Sequence, residues 1–523
     1  MRAPRSRFPL LLAAAIAGAL VLGATIGAGT DALTPREQAL HALNRLGFGP
    51  RPGDVERVAQ MGVPAYIELQ LHPERISDSR IDAKLAALPT LSMSNVELYT
   101  RFELPVREAR KKLKAEKADV PADGAASGDD DLRKLRDMAP PENRPRRILE
   151  DLTAARILRA AESERQLNEV LVDFWLNHFN VYASKGLDRI LIASFERDTI
   201  RPRIWGRFDA LLLATAQSPA MLFYLDNARS VADEEHRPAG YARVGMFGRA
   251  ASTGKGPRGL NENYARELME LHTLGVDGGY TQKDVTELAR VLTGWSIAQP
   301  REQNDDRMLA ARRGRAESAE PGSFVFRARM HDTGKKTVLG QSFPSGAGLE
   351  EGERAIRMLA RRPETARHIA FQLCQRLVAD EPPPALVARV AQRFLATDGD
   401  LRETVRAILT SPEFFEPKYY RAKIKSPFEY AVSAIRAVNA TTDGRAVAKQ
   451  IAEMGEPLYL CQPPTGYADT AEAWVNAGAL LARVNFAVAL TEGKLPGTSA
   501  DPALLKTEPN TALVLGGPDF QQQ

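Results

Sequence analysis

The sequence predicts an all-α fold, a multi-helix globular assembly with one small β-hairpin near residues 323–340 and two mobile insertions. Three observations lead to this prediction: helix-start signals recur along the chain, apolar residues follow the helical period, and strand-like alternation is confined to one stretch. Hydrophobic residues make up 44% of the 523 residues and charged residues 26%, which excludes a fully disordered chain and a multi-span membrane protein. The formal net charge is only +4, so composition indicates no nucleic-acid-binding surface.

The N-terminal segment, residues 1–32, is predicted to be a signal peptide. Arg2, Arg5 and Arg7 precede an uncharged run over residues 8–30. Eleven of these 23 residues are Ala or Gly, which contribute less to membrane insertion than Leu or Ile. A cleaved signal is therefore favoured over the alternative, an N-terminal anchor in the inner membrane. We expect export to the periplasm or the cell exterior, with no membrane span after removal of the signal.

The mature chain is predicted to begin with a helical region, residues 33–115. Thr34 and Glu37 have the spacing of a capping box, which starts a helix by pairing its first backbone groups with side chains. This helix is expected to end before Gly47, which would supply a left-handed turn. Residues 116–145 are rich in Pro, Gly and Asp and poor in large apolar side chains, so they are predicted to form a low-complexity, mobile insertion.

A central helical core is predicted over residues 146–299. The helix after Ser163 carries a stripe of apolar residues at helical spacing, which indicates one buried face. The stripe consists of Leu167, Val170, Leu171, Phe174 and Trp175.

The only strand signals follow a second, polar insertion at residues 300–322. Phe324–Phe326 and Thr337–Leu339 flank a turn-rich stretch, and this pattern predicts a small hairpin within residues 323–345. The remaining regions are a C-terminal helical region, 346–495, and a tail, 496–523.

Glu267 is the first candidate for a functional residue. It lies in a predicted helix between Asn261, a candidate N-cap, and Gly275, and it falls beside a stripe that contains Tyr264 and Leu271. A carboxylate at the edge of a core must be paired or functional. Two interpretations stay open: a group that accepts hydrogen bonds from a neighbouring helix end or Arg, which is favoured, and a catalytic carboxylate.

His178 is the second candidate. It is four residues past Phe174 and three past Trp175, so it closes an apolar stripe, and a satisfied core histidine is the favoured interpretation. In the alternative, His178 is a general base or ligand at a helix C-terminus, oriented by Asn177 or Asn180.

The third candidate is the pair His331 and Asp332. Such a pair at a loop tip could face a cleft, but Thr333 and Gly334 follow it, and turn chemistry alone explains Asp, Thr and Gly at these positions.

No cofactor or metal site is predicted. The seven histidines are scattered, and no two of them stand three or four residues apart as local metal pairs do. The chain has no nucleophile elbow, Walker loop or dinucleotide-binding fingerprint. The two cysteines, Cys374 and Cys461, are interpreted as separate thiols rather than as one disulfide.

Several long motifs resemble the bacterial family catalogued as domain of unknown function 1800. They are Asn261–Gly275, Val285–Trp295, Phe174–Phe179, Leu46–Gly49, His331–Asp332 and Pro463–Tyr467. The resemblance extends from about Leu33 to about Thr491 and implies an exported, largely helical bacterial protein without an established reaction. Members are often encoded beside another exported family of unknown function, which implies an exported partner protein.

Two functions therefore remain open. The favoured one is an exported binding or scaffold protein of the cell envelope that acts with another exported protein or a polymer. The alternative is an envelope hydrolase that uses Glu267 and His178 in a shared cleft, together with His331 or Asp332. Convergence of Glu267, His178, Asn261 and His331 around one pocket would favour the enzyme, whereas separate burial would favour the binding protein.

Overall fold

Helices account for most of the residues that the computed structural model describes, namely 32–109, 111, 143–233, 236, 259–298 and 320–523. The fold class is all-α, as predicted, and the strands among the described residues form short pairs. The predicted signal segment and nearly all of the two predicted insertions lie outside the described residues.

The elements are numbered in chain order. The helices are α1 (Pro35–Arg45), α2 (Asp54–Met61), α3 (Val63–Gln70), α4 (Ser79–Leu85), α5 (Asn95–Leu98), α6 (Arg146–Glu162), α7 (Gln166–His178), α8 (Asp188–Ser194), α9 (Phe208–Ala216), α10 (Pro219–Tyr224), α11 (Asn263–Glu270), α12 (Gln282–Val291), α13 (Leu349–Ala360), α14 (Pro363–Leu377), α15 (Pro384–Ala396), α16 (Leu401–Leu409), α17 (Pro427–Ala437), α18 (Arg445–Glu453), α19 (Ala471–Trp474), α20 (Ala477–Thr491), α21 (Pro502–Thr507), α22 (Thr511–Gly516) and α23 (Pro518–Gln521). The strands are β1 (Trp295–Ile297), β2 (Phe324–Phe326), β3 (Lys336–Val338), β4 (Gln341–Phe343), β5 (Thr441–Thr442) and β6 (Thr498–Ser499).

The start of α1 has the predicted capping box. Thr34 Oγ1 accepts a hydrogen bond from the Glu37 backbone N–H at 3.3 Å, and the Glu37 carboxylate accepts one from Thr34 N at 2.9 Å. The predicted left-handed turn at Gly47 is wrong, because Gly49 is the residue with a positive φ, +86°. Position 47 instead requires glycine because a side chain has no room there: a Cβ would lie 2.8 Å from Oε1 of Gln166.

Helix α11 is shorter than predicted. Asn261 is not its N-cap as predicted: that position is Glu262, which makes no side-chain cap hydrogen bond, and Asn261 Oδ1 accepts a hydrogen bond from the Asn263 backbone N–H at 2.8 Å. The helix ends at Glu270 rather than near Gly275. The backbone N–H of His272 then bonds to the carbonyl of Glu267, five residues back, which widens the last turn and breaks the regular helix.

The strands of the predicted hairpin do not pair with each other. Both predicted segments form strands, but β2 pairs antiparallel with β1, in register Ser296 to Val325, and not with the second segment. That segment forms β3, which pairs with β4 in register Thr337 to Ser342. The two-residue connection between β3 and β4 contains Leu339 and Gly340, both with positive φ, the geometry that a tight hairpin turn requires.

Helix α6 lies at the centre of the helical packing. Twelve of its 17 residues are buried, and it contacts α4, α8, α17 and α18. Arg146 and Glu150 near its start are exposed, whereas a charged residue on the enclosed remainder of the helix requires a partner inside the protein. One continuous hydrophobic cluster extends from Ala39 in α1 to Leu515 in α22 and includes the predicted stripe of α7.

In the part of the chain that the structure describes, no helix combines the length and the apolar character that a bilayer-spanning segment needs.

Candidate functional site

Glu267 is half-buried on α11 and makes no side-chain hydrogen bond or ion pair with any described residue. Burial raises the pKa of its carboxyl group, and the neighbouring Glu270 raises it further. Arg266 points to Glu262, with 3.7 Å between Nη2 and Oε2, rather than to Glu267. The hydrogen-bond donors that the favoured interpretation of Glu267 requires are not among the described residues.

Asn261 contributes to a tightly held turn at residues 224–226. The three successive backbone carbonyls of this turn accept hydrogen bonds from Lys185, Asn263 and Asn261, in that order. Asp226 has a positive φ of 61°, which is costly for a non-glycine residue, so the side chains hold a strained turn in place. Asn261 is thereby occupied with backbone groups.

Asn177 and Asn180 hold the C-terminal loop at residues 461–467. Asn177 Nδ2 donates to the carbonyl of Tyr467 at 2.8 Å, and its Oδ1 accepts from the Tyr467 N–H at 2.7 Å. Gly466 is essential to this contact, because it has φ +71° and a Cβ there would lie 2.5 Å from the Asn177 carbonyl. Asn180 donates to the carbonyls of residues 461 and 463 at 3.0 and 2.7 Å.

His178 lies in a group of three histidines. Its ring centroid is 6.0 Å from that of His272 and 6.4 Å from that of His368, and its Nδ1 lies 2.8 Å from Oε1 of Gln372. Burial lowers the pKa of His178 well below 6.5, and the two other rings lower it further. The pKa of His272 is lowered to about 3, mainly by burial. The three rings are thus neutral at physiological pH.

His331 and Asp332 belong to a buried ionic network. His331 Nε2 lies 3.3 Å from the Glu351 carboxylate, which also contacts Lys336 Nζ at 3.0 Å. Arg290 Nε donates to Asp332 Oδ2 at 2.8 Å. Both residues of the predicted pair are almost fully buried, with 2% and 1% of their surface exposed, so the pair lies inside the protein and not at a loop tip.

The four side chains named for a shared cleft have separate surroundings. Glu267, His178, Asn261 and His331 share no side-chain hydrogen-bond or ion-pair partner among the described residues. In that same part of the chain, no group of three or more His, Cys, Asp and Glu side chains could hold a metal ion. Cys374 and Cys461 are both buried free thiols.

A polar cleft that the sequence did not indicate lies where α6, α7 and α14 meet the loop after α18. Its volume is about 60 Å³. Asp173 joins two guanidinium groups there, because its carboxylate binds Arg156 Nη2 with one oxygen and Arg376 Nη2, at 3.0 Å, with the other. The Arg156 guanidinium also lies 5.1 Å from the ring centroids of both Phe428 and Tyr459.

Among the carboxyl groups that line this cleft, that of Glu456 has the pKa furthest from its ordinary value. Only 6% of its surface is exposed, and its Oε2 accepts a hydrogen bond from the Phe428 backbone N–H at 2.8 Å. Burial raises its pKa to about 7, with a further contribution from the negative charge of Asp173. Glu456 therefore carries a proton through the weakly acidic range, where carboxyl groups are ordinarily ionised.

The sequence contains only a weak signal for the cleft. Arg156 stands between Ala155 and Ile157 in a helix without a polar face, and such a charge must find a buried partner. Glu456 lies in a loop where an acidic residue is unremarkable. Asn177 and Asn180, the two residues that the sequence analysis offered as orienting His178, both line the cleft.

A second feature that the sequence analysis did not predict is an exposed apolar surface formed by α20, α22 and Val475, which lies two residues before α20. We call it the C-terminal apolar surface. Its residues and their exposed fractions are Val475 (41%), Leu481 (62%), Val484 (41%), Val488 (36%), Leu513 (76%) and Val514 (63%). The two helices adjoin, because a Cβ on Gly516 would lie 3.4 Å from the Val484 side chain.

Comparison with known proteins gives one match. A family model described as "Protein of unknown function (DUF1800)" matches residues 41–521. Neither a curated protein nor a solved structure matches the chain.

Proposed function

The chain belongs to the DUF1800 family of proteins of unknown function, and we propose that it is an exported protein of the cell envelope that binds another exported protein. The binding site in this proposal is the C-terminal apolar surface. The partner contributes an uncharged, apolar helix or loop, since a charged group placed on this surface would lose its hydration without gaining a counter-charge.

One observation carries the proposal: helix α20 has no charged side chain on its solvent-facing side. Leu481, Val484 and Val488 have the spacing i, i+3 and i+7, which places them on one face. A surface helix of a globular protein normally presents charged and polar residues on the face opposite the core. The 15 residues of α20 extend over about 22 Å, long enough for a helix-sized partner.

Arg483 is the only charged residue of α20, and it points inward. Its side chain is fully buried, with Nη1 donating to Gln521 Oε1 at 2.7 Å and Nη2 donating to the Lys425 carbonyl at 2.8 Å. These bonds determine which face of α20 is turned outward. The apolar outer face is therefore a consequence of stable packing rather than of a loosely attached helix.

The clustering of these residues distinguishes the surface from ordinary exposed apolar side chains. The other large exposed hydrophobic residues in the described chain are Met61, Val276, Phe371 and Leu395, which lie on separate elements. Single exposed apolar residues are normal, whereas a contiguous group supports a binding site.

The hydrolase alternative has less support. His178 is buried, and both of its ring nitrogens have protein partners, Gln372 and the His272 carbonyl, so it is not placed to take a proton from a substrate. Glu267 is half-buried, and no side chain of the described residues forms a hydrogen bond or ion pair with it through which a proton could be exchanged.

The test combines cell fractionation with crosslinking of the full-length protein in its native envelope. Val514→Asp and Leu481→Asp place a charge on the C-terminal apolar surface. Val276→Asp is the matched control, because Val276 is similarly exposed, at 70% against 63% for Val514, but lies elsewhere. We expect one exported protein to crosslink to the wild type and the control, with about tenfold less capture by the two surface variants.

Three results would contradict the proposal. Equal crosslinking by Val514→Asp and Val276→Asp would remove the surface from the interaction. Crosslinks that contain only a second copy of this chain would replace the partner by self-association. Recovery of the protein with its N-terminal residues intact in the soluble cytoplasm would contradict export.

A further inference from the structure

We propose that a pocket between α5 and α8 binds a fatty carboxylate, a molecule with an unbranched hydrocarbon chain and one negative charge at its end. We call it the aliphatic pocket. Its buried or half-buried aliphatic lining and its exposed charged rim consist of Val96, Leu104, Leu187, Ile190, Leu191 and Ile297, and of Arg107, Glu108 and Lys111. The pocket is separate from the C-terminal apolar surface, and its ligand does not depend on the proposed binding of a protein partner.

A wide helical turn after α5 forms one wall of the pocket. The backbone N–H of Leu104 bonds to the carbonyl of Tyr99, five residues back, and such turns frequently occur at functional sites. The start of α5 is held against the neighbouring wall, because Asn95 Nδ2 donates to the Gly322 carbonyl at 3.0 Å. A Cβ on Gly322 would lie 3.0 Å from that of Asn95, so the two walls are in close contact there.

The volume of the pocket, about 380 Å³, limits the size of the ligand. An apolar cavity of about 150 Å³ holds one benzene molecule, so a pocket of this size holds roughly 15 carbon-sized atoms. Dodecanoate, a twelve-carbon carboxylate, is of this size. Pockets that bind small molecules usually begin at about 300 Å³, and this one is large enough for such a ligand.

The lining favours a flexible hydrocarbon chain over a flat ring. Ile190, Leu191 and Ile297 have only 2%, 4% and 5% of their surface exposed, so they form an apolar floor. Among the described residues that line the pocket, Tyr99 carries the only aromatic ring, and its hydroxyl group accepts a hydrogen bond from Arg107 Nη1 at 2.9 Å. Each methylene group that moves from water onto this floor contributes to binding through the hydrophobic effect.

The rim favours one negative charge at the end of that chain. Arg107 and Lys111 are four residues apart in helical backbone, so their side chains lie on the same face. With Glu108 the rim has a net charge of +1, and none of the three side chains forms an ion pair with a described residue. A single carboxylate balances this charge, whereas a cation is repelled. Because the rim is exposed, the carboxylate keeps much of its hydration.

The experiment measures binding of dodecanoate to the mature full-length protein by calorimetry at pH 7.5, below the concentration at which the ligand forms micelles. Dodecyltrimethylammonium has the same chain with the opposite charge, and we expect it to bind about tenfold more weakly. Hexanoate has the same carboxylate with six methylene groups fewer, and its affinity should be at least about a hundredfold lower.

Variants of the rim should change the affinity for dodecanoate in opposite directions. Arg107→Gln and Lys111→Gln each remove a positive charge and should weaken binding about threefold. Glu108→Gln removes the negative charge and should strengthen binding about twofold. Arg101→Gln is the matched control, because Arg101 lies in the same wide turn but binds Asn143 and does not line the pocket.

A variant of the lining tests the position of the hydrocarbon chain. Val96→Asp places a charge on the half-buried lining and should reduce the affinity at least about tenfold. Val276→Asp, on an exposed part of another element, should bind as the wild type does.

Several results would overturn the inference. These are no binding of dodecanoate, equal affinity for dodecyltrimethylammonium, and changes of the same sign in Arg107→Gln and Glu108→Gln. Loss of binding in Val514→Asp but not in Val96→Asp would place the ligand on the C-terminal apolar surface instead. If Val96→Asp does not fold, as judged by circular dichroism, the variants of the exposed rim residues still decide the question.

Discussion

The polar cleft and the C-terminal apolar surface differ in opposite ways from the usual pattern, in which charged side chains are exposed and apolar side chains are buried. In the cleft, Arg156, Asp173 and Arg376 are charged and yet nearly excluded from solvent. On the surface, Leu513 and Val514 are apolar and yet 76% and 63% exposed. Buried charges are compensated inside the chain, while exposed apolar groups have no internal compensation. The first region is thus satisfied within the fold, whereas the second leaves apolar side chains in contact with water.

The largest effect should follow from removing the central charge of the cleft. Asp173→Asn leaves the buried Arg156 guanidinium without its carboxylate partner, while Arg376 keeps Glu429 at 2.7 Å, and unpaired buried charge costs about 3–5 kcal/mol of the free energy of unfolding. Urea unfolding measures this loss. Asp398→Asn is the control, since Asp398 pairs with Arg207 at the exposed surface, where such a pair contributes about 0–1 kcal/mol. Equal losses of stability in the two variants would show that the buried ion pairs of the cleft contribute no more than an exposed pair.

A second effect concerns buried imidazoles next to α7. Unfolded histidine protonates near pH 6.5, but burial keeps His272 neutral down to about 3. Its contribution to the free energy of unfolding is thus complete above pH 6.5 and decreases as pH falls below that value, by about 2–3 kcal/mol at pH 4.5.

His272→Gln removes this titrating group and tests the effect. Urea unfolding at pH 7.5 and pH 4.5 should show that the variant loses about 2–3 kcal/mol less stability than the wild type between the two values. His178 and His368 remain in the variant, so part of the acid sensitivity persists. An unchanged pH slope would mean that His272 is not neutral in the folded protein.

The smallest effect is expected at Glu267, which is neither deeply buried nor paired. Burial raises the pKa of its carboxyl, so charge at this position is mildly unfavourable to folding at neutral pH. Glu267→Gln should raise the free energy of unfolding by no more than about 0.5 kcal/mol, given screening by solvent at a half-exposed site. A loss of 1 kcal/mol or more in thermal or urea unfolding would reveal a hydrogen bond to this carboxylate and restore the structural interpretation.

The sequence predicted the helical class and several details of α1 and α7 because these depend on short-range signals. The capping box of Thr34 and Glu37 and the buried stripe around Trp175 involve residues within a few turns of one another. The strand segments were recognised as strands for the same reason, but their pairing was not. Val325 finds its partner Ser296 across a polar insertion, and nothing in the local pattern encodes that choice.

The roles of the candidate residues depended on contacts far along the chain. Asn177 binds Tyr467, which is 290 residues away, and His178 binds Gln372, which is 194 residues away. The residues next to Asn177 and His178 in the sequence indicated that both side chains lie close to a core. They gave no information on which groups these side chains would bind.

The sequence by itself determined that this chain is helical, where several of its helices begin, and which family its motifs resemble. These properties follow from hydrogen bonds and side-chain periodicity over a few residues, which the order of amino acids specifies directly. Tertiary structure alone decided that Asp173 and Glu456 meet in a cleft and that α20 turns an uncharged face outward. Both results depend on burial and on the electrostatic interactions of groups that lie far apart in the chain, and those quantities exist only after the helices have packed.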